Sequence, residues 1–191
     1  MKSNFGVYIK IDYQDILADT YKYKSTDTLD KIIKLMQKNK DQLFSNYKGN
    51  TLLNEYSVNE IMTIASLVER EGINDNDKRL ISSVIFNRFK KNMKLQIDAS
   101  TIFSITGGKF KFGRKLEYND LRINDIYNTY FIYGLPPYPI CYVGRKTIEI
   151  VLENYKSEFL YYFFNNELNK HVFSKSYQEH KNKLNKYRLK N

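Results

Sequence analysis

Ser57-Val58-Asn59-Glu60 followed by an apolar stripe at helical spacing constrains this chain more than any other feature. In such a capping box the serine hydroxyl and the glutamate carboxylate satisfy each other's terminal N–H groups. Ile61, Ala65 and Val68 then share one face, with Ile64 beside them, until Gly72 and Asn74 break the helix. A second stripe, Ile81, Val84, Ile85 and Phe89, starts after Asp75 or Asn76. The expectation is a compact helical pair over about 58–71 and 77–90, joined by a short turn.

The rest of the chain mixes short elements. Residues 5–11 partly alternate and predict a strand. Leu29, Ile32, Ile33 and Met36 recur at helical spacing, which predicts a helix over about 28–45 capped by Thr26 or Asp27. Lys91 to Gly113 has weak periodicity, and Leu121 to Asn128 could be a short helix. Gly134-Leu135-Pro136-Pro137-Tyr138-Pro139 must be a rigid extended loop, because consecutive prolines remove backbone donors and restrict φ. A helix over about 147–155 follows, then a strand at Phe159–Phe164 that can pair with His171-Val172-Phe173. Ser176-Tyr177-Gln178-Glu179 repeats the capping-box pattern and opens a Lys-rich helix. Without regular βαβ units, this order predicts an α+β fold: one mixed domain over 1–191, with 1–50 open to being a linking or accessory portion.

The hydrophobic fraction of 42% in 191 residues suffices for a core and excludes whole-chain disorder. Cys141 is the sole cysteine, so no internal disulfide can form, and its neighbours suggest packing. One cysteine and two histidines make a structural zinc site a poor fit, and no cofactor is expected. No stretch approaches the roughly 20 apolar residues of a membrane span, and no signal peptide is visible, so the chain reads as soluble as written. The net charge of +10 suits an anionic partner: nucleic acid, a membrane surface or an acidic cell-wall polymer. It gathers between Arg88 and Lys115 and again from Lys170 to Lys190, where a solvated Lys-rich face is the simplest reading.

Glu69 and Glu71 end the first helix of the pair. Glu69 follows Val68 directly, at the edge of the apolar stripe, where desolvation would raise its pKa and leave it protonated as a general acid needs. Glu71, two residues on, faces elsewhere, so the two need not form a glycosidase-type dyad. Taken alone, a glutamate near Arg70 and Lys78 is ordinarily a solvated surface charge. Gln96 and Asp98 lie at i,i+2 and point the same way if their segment is extended, where they could orient a sugar hydroxyl or amide. Asn128, Thr129 and Tyr130 offer amide, hydroxyl and phenol groups suited to N-acetyl sugars, though all five positions also fit ordinary caps and turns. Phosphate-loop, dinucleotide and Gly-x-Ser-x-Gly patterns are absent. His171 and His180 lack metal spacing and read as structural or surface residues.

Read together, several segments resemble the MltG (YceG-like) endolytic transglycosylases. Ala65-Ser66-Leu67-Val68-Glu69-Arg70-Glu71 is similar to that family's Ala-Ser-Ile-Val-Glu-Lys-Glu signature, and Val84-Ile85-Phe86-Asn87-Arg88 to its Val-Phe-x-Asn-Arg stretch. Leu95-Gln96-Ile97-Asp98, Tyr127-Asn128-Thr129-Tyr130 and Gly134-Leu135-Pro136-Pro137 follow in the family's order. Leu17-Ala18-Asp19-Thr20-Tyr21 and His171-Val172-Phe173-Ser174 flank them, so the likeness runs over about residues 13–189. Departures fall at Ala18, Ala99, Tyr138 and Tyr142-Val143 and bear on the shape of a glycan cleft.

The resemblance implies cleavage of the MurNAc–GlcNAc β-1,4 bond within peptidoglycan, leaving 1,6-anhydro-MurNAc ends. It places the catalytic acid/base on Glu69, with Glu71, Gln96, Asp98, Asn128, Thr129 and Tyr130 supporting or binding substrate. The muramoyl 6-hydroxyl is then the nucleophile, so neither a catalytic water nor a metal is needed. It further implies peptidoglycan strands as partner, cell-wall synthases as further partners, no nucleic acid, and a membrane anchor outside this chain at the extracytoplasmic face of the inner membrane. A muramidase using water and a non-catalytic basic glycan-binding module are the alternatives.

Overall fold

A computed structural model describes residues 11–188. The expected strand at 5–11 therefore lies, but for Ile11, outside the described residues. The elements are α1 (Leu29–Asn46), α2 (Thr51–Glu55), α3 (Val58–Glu71), α4 (Asp75–Lys90), α5 (Asp98–Thr106), a 3-10 turn (Asp120–Arg122), α6 (Arg145–Leu152), β1 (Tyr161–Asn165), β2 (Lys170–Ser174) and α7 (Tyr177–Arg188). The fold is α+β, as expected.

The α3–α4 pair forms with α3 set by the capping box and the Gly72 break. α4, however, begins at Asp75 with Asn74, rather than Asp75 or Asn76, as its cap, because Asn74 Oδ1 accepts from Asp77 N–H. Ser57 Oγ accepts from Glu60 N–H at 3.3 Å, and the Glu60 carboxylate accepts from Ser57 N–H at 2.8 Å. The stripe underestimates α3, however. All eight residues from Ile61 to Val68 are buried, because α4, α5 and α6 pack around the helix. Thr63 and Ser66 enter this core because their hydroxyls donate back to Asn59 O and Thr63 O, both at 2.8 Å. Leu17, Leu43 and Phe44 join the same core, so residues from the 1–50 portion pack directly on α3 and its neighbours.

The turn after α3 depends on Gly72. A Cβ there would stand 2.3 Å from Lys78 Cγ and 3.2 Å from both Lys78 Cα and Val68 O. The missing side chain lets α4 approach α3 closely. Gly72→Ala is expected to cost about 1–3 kcal/mol through overpacking, read as a lowered melting temperature.

Several expectations are corrected. The cap of α1 is Thr28, whose Oγ1 accepts from Lys31 N–H; Asp27 instead accepts from Lys24 N–H and pairs with Lys31. The weakly periodic 91–113 stretch contains α5, whose helical form is held by tertiary bonds to residues near 129 rather than by an apolar stripe. Leu121 to Asn128 holds only the end of a 3-10 turn and further turns, because Asn128 Nδ2 takes Leu121 O and Ile123 O away from any helical ladder. The expected 147–155 helix runs from Arg145 to Leu152, since Gly144 ends the extended segment before it. β1 and β2 pair antiparallel with Tyr162 opposite Phe173 and Phe164 opposite His171.

The proline loop lies along α3. Asn59 Nδ2 donates to Pro137 O at 3.3 Å, and Ser66 Oγ accepts from Ile140 N–H at 3.0 Å. Among the described residues no helix is long and apolar enough to cross a membrane.

Candidate active site

Glu69 and Glu71 leave the end of α3 in different directions and meet different neighbours. Glu69 Oε2 receives Lys78 Nζ at 3.1 Å and a very short hydrogen bond from the Thr147 hydroxyl. Lys78 Nζ also donates to Thr147 Oγ1 at 2.7 Å. The Glu69 side chain keeps 30% of its surface exposed. This cluster ties α3 to α4 and α6 through a partly solvated ion pair, and it is not the apolar setting expected for Glu69.

Glu71 meets a different set of groups. Its Oε1 accepts from the Ala99 N–H at 3.4 Å, and the Tyr162 hydroxyl donates to Oε2 at 3.5 Å. Burial, above all, pushes its carboxyl above the ordinary range, and the charge of nearby Asp98 adds to this. The hydrogen bonds from Ala99 and Tyr162 and the proximity of His171 oppose the shift without reversing it. Tyr162 is enclosed in turn, and its phenol is held far above its ordinary value by burial first and the Glu71 charge second. It therefore acts as a donor to the carboxyl.

Asp98 starts α5 and accepts a 2.6 Å hydrogen bond from the Tyr130 hydroxyl. Burial, then Asp98, raises the Tyr130 phenol, so this proton also stays in place. Two carboxyls, each with a phenol partner, thus lie near one another beyond the end of α3.

Gln96 does not stand beside Asp98 on an extended segment. Its backbone is left-handed, with φ of 53°, its N–H donates to Thr129 O, and its Oε1 accepts from Arg88. Its side-chain oxygen is thus tied to Arg88, while the residue itself is exposed. Asn128 and Thr129 are fully buried. Thr101 Oγ1 donates to Asn128 Oδ1 at 2.8 Å, and Thr129 Oγ1 accepts from Ile97 N–H at 2.9 Å. Both residues seat α5, and hence Asp98 and Ala99, against the loop that carries Tyr130. Of the sequence candidates, Glu71, Asp98 and Tyr130 gather at one place, Asn128 and Thr129 seat the segments that carry them, and Glu69 has its own partners, Lys78 and Thr147.

Sequence reasoning missed the roles of Arg88, Tyr162 and His171. Arg88 is 6% exposed and donates to the carbonyls of Leu160, Lys94 and Leu95 at 2.7, 3.0 and 2.7 Å. His171 Nδ1 lies 2.7 Å from Asp77 Oδ2, and its ring packs edge-on against Tyr162. An arginine ending an apolar stripe was the one available signal. Nothing in β1 or β2 announces that their aromatics reach the end of a helix about 90 residues earlier.

A cleft of about 570 Å³ opens beside this cluster. Ala99 links the two, lining the cleft and also binding Glu71. Arg70 and Lys111 lie along it with Tyr13, Phe103, Phe110 and Tyr142. Cys141 also lines it; burial pushes its thiol up to about 12, which leaves it unreactive. Among the described residues no group of His, Cys, Asp and Glu could hold a metal ion.

The sequence profile of the YceG-like family matches residues 14–186. The chain is 37% identical over 171 residues to an endolytic murein transglycosylase of Bacillus subtilis, covering 88% of this chain and 46% of that protein. It is 30% identical over 166 residues to an endolytic murein transglycosylase of Streptococcus pneumoniae, covering 84% and 29%. The chain thus spans less than half the length of these curated relatives. A crystal structure of a YceG-like protein from Listeria monocytogenes superposes with a TM-score of 0.76 at 35% identity, over 90% of this chain and 54% of that one.

Proposed function

The chain belongs to the YceG-like family, and on that premise we propose that it carries the catalytic centre of an endolytic peptidoglycan lytic transglycosylase whose proton donor is Glu71 rather than Glu69. The observation that carries this reading is the enclosure of the Glu71 carboxyl between Ala99 N–H and the Tyr162 hydroxyl, where burial favours its protonated form. A general acid works best when its proton is still present near the operating pH.

In the proposed reaction Glu71 gives its proton to the oxygen leaving C1 of MurNAc. The muramoyl 6-hydroxyl attacks C1, and the Glu71 carboxylate takes the hydroxyl proton. One C–O bond breaks, one forms, the proton returns, and no water is consumed. Asp98, held by Tyr130, keeps negative charge near the site; this favours the protonated form of Glu71 before transfer and would favour positive charge developing at C1. Glu69 with Lys78 and Thr147 fixes the end of α3 and so the direction of Glu71. Uncrosslinked glycan strands are the expected substrate. Cell-wall synthases as neighbours, and a membrane anchor outside this chain, belong to the same reading.

Mass spectrometry of glycan strands digested by the purified chain tests it. Products ending in 1,6-anhydro-MurNAc are expected. Reducing ends would instead identify a water-using muramidase, and intact strands a binding module.

A further inference from the structure

Beside Glu71, the 570 Å³ cleft combines two features whose pairing points to a ligand. Its aromatic wall is braced from behind: Tyr13 packs edge-on against Tyr142 at 4.7 Å, and Phe103 lies 4.8 Å from Tyr127. Gly108 completes the wall, since a Cβ there would stand 2.8 Å from Tyr13 Oη and 3.1 Å from the Phe103 ring. The aromatic surface is therefore preformed, as ring stacking on a sugar requires.

The second feature is charge. Arg70 and Lys111 line the cleft, and no carboxylate does. Neither cation makes an ion pair among the described residues, whereas Arg79, Arg114 and Arg145 are all engaged with carboxylates. Both are exposed, so they remain solvated until an anion arrives. Arg70 also lies between Glu69 and Glu71 in the chain, so one cation of the cleft belongs to the same helix end as the proposed proton donor.

Resting on the glycan-cleaving reading above, we propose that this cleft is a subsite for a muramyl unit bearing a carboxylate: the sugar lies on the aromatic wall, and Arg70 and Lys111 bind the acid carried by its lactyl substituent. A peptidoglycan strand offers that acid from two sources, a free lactyl carboxylate on stripped strands or the carboxylates of an attached stem peptide. Sugars without a carboxylate gain only the stacking contribution. The subsite thus distinguishes muramyl-containing strands from plain N-acetylglucosamine polymers.

Calorimetric binding of length-matched oligosaccharides to the full chain tests this, using stem-bearing strands, strands stripped of stem peptides, and chitin oligomers. At least one carboxylate-bearing ligand is expected to bind about tenfold more tightly than chitin, a gain typical of charge-assisted hydrogen bonds at a partly solvated site. Arg70→Gln combined with Lys111→Gln should reduce that preference to less than about twofold while leaving chitin affinity unchanged. Which strand keeps the preference identifies the source of the acid. Lys38→Gln with Lys48→Gln removes the same charge outside the cleft and should leave the preference intact. Equal affinity of the unsubstituted chain for all three ligands overturns the proposal, as does a preference that survives the cleft substitutions or disappears with the remote ones. Binding is scored apart from product formation. A chain that forms no anhydro ends but shows this pattern loses the reaction and keeps the subsite; the reverse result loses only the subsite.

Discussion

Glu71→Gln is expected to abolish most strand cleavage, by about 10²–10⁴-fold, the range of a lost general acid. The amide preserves size and can still meet Ala99 N–H and the Tyr162 hydroxyl, so the loss would reflect the missing proton. Glu69→Gln should retain activity within about tenfold, since its ion pair with Lys78 is partly exposed and such pairs contribute little. Anhydro-product yield over time separates the two. Abolition by Glu69→Gln with activity retained by Glu71→Gln would return the acid to the position implied by the signature resemblance.

The same substitution has a signature in stability. The folded-state value of Glu71 is raised above its unfolded one, so the chain binds more protons folded than unfolded in that interval. The stability contributed by the neutral carboxyl is complete below the unfolded value and is lost as pH rises through the folded value. Glutamine cannot ionise and escapes that loss. Glu71→Gln should therefore melt above the unsubstituted chain at neutral and higher pH and converge with it in acid, while cleavage by the unsubstituted chain declines over the same interval. Thermal melts across about pH 4 to pH 8, bracketing the ordinary carboxyl range and the interval above it, check this. Identical melting curves throughout would remove burial as the origin of the acid.

Arg88→Met carries the largest expected cost to folding. Burial pushes its guanidinium below the ordinary value, with the phenols of Tyr162, Tyr161 and Tyr130 partly offsetting this, and the ring of Tyr161 lies 5.3 Å away. Its donors gather the carbonyls of Lys94, Leu95 and Leu160 and the Gln96 side chain from two distant segments. Methionine fills the volume but leaves those oxygens without partners, a loss of about 3–5 kcal/mol. For a chain of this length that lowers the melting temperature by roughly 10 °C. Lysine restores charge but not the planar fork, so Arg88→Lys should recover only part of the loss. A melting temperature within about 2 °C of the parent, less than 1 kcal/mol would produce, would show that water replaces the guanidinium.

Much of the scaffold was legible because its signals are local. The capping box at Ser57–Glu60, the Gly72 break, the stripe of α4, the proline loop and the β1–β2 pairing all depend on residues a few positions apart. α5 was not legible, because its buried face is polar: Ser100 and Thr101 bond to Thr129 and Asn128 in place of apolar packing. The site was half legible. Glu69, Glu71, Asp98 and Tyr130 were named from motifs, whereas Tyr162 and Arg88 were not named as site residues. Asn128 and Thr129 are buried in the scaffold, and Glu69 meets an ion pair where an apolar flank was expected.

By itself the sequence determined that a helix ends in two carboxylates facing different ways, since a two-residue step turns the side chain by about 200°. It could not determine which protein groups each carboxylate meets. Lys78 and Thr147 reach Glu69, while Ala99 and Tyr162 reach Glu71, and of these only Lys78 is close in the chain. Desolvation belongs to whatever surrounds a group in space, so the surroundings of each carboxyl fell to tertiary structure.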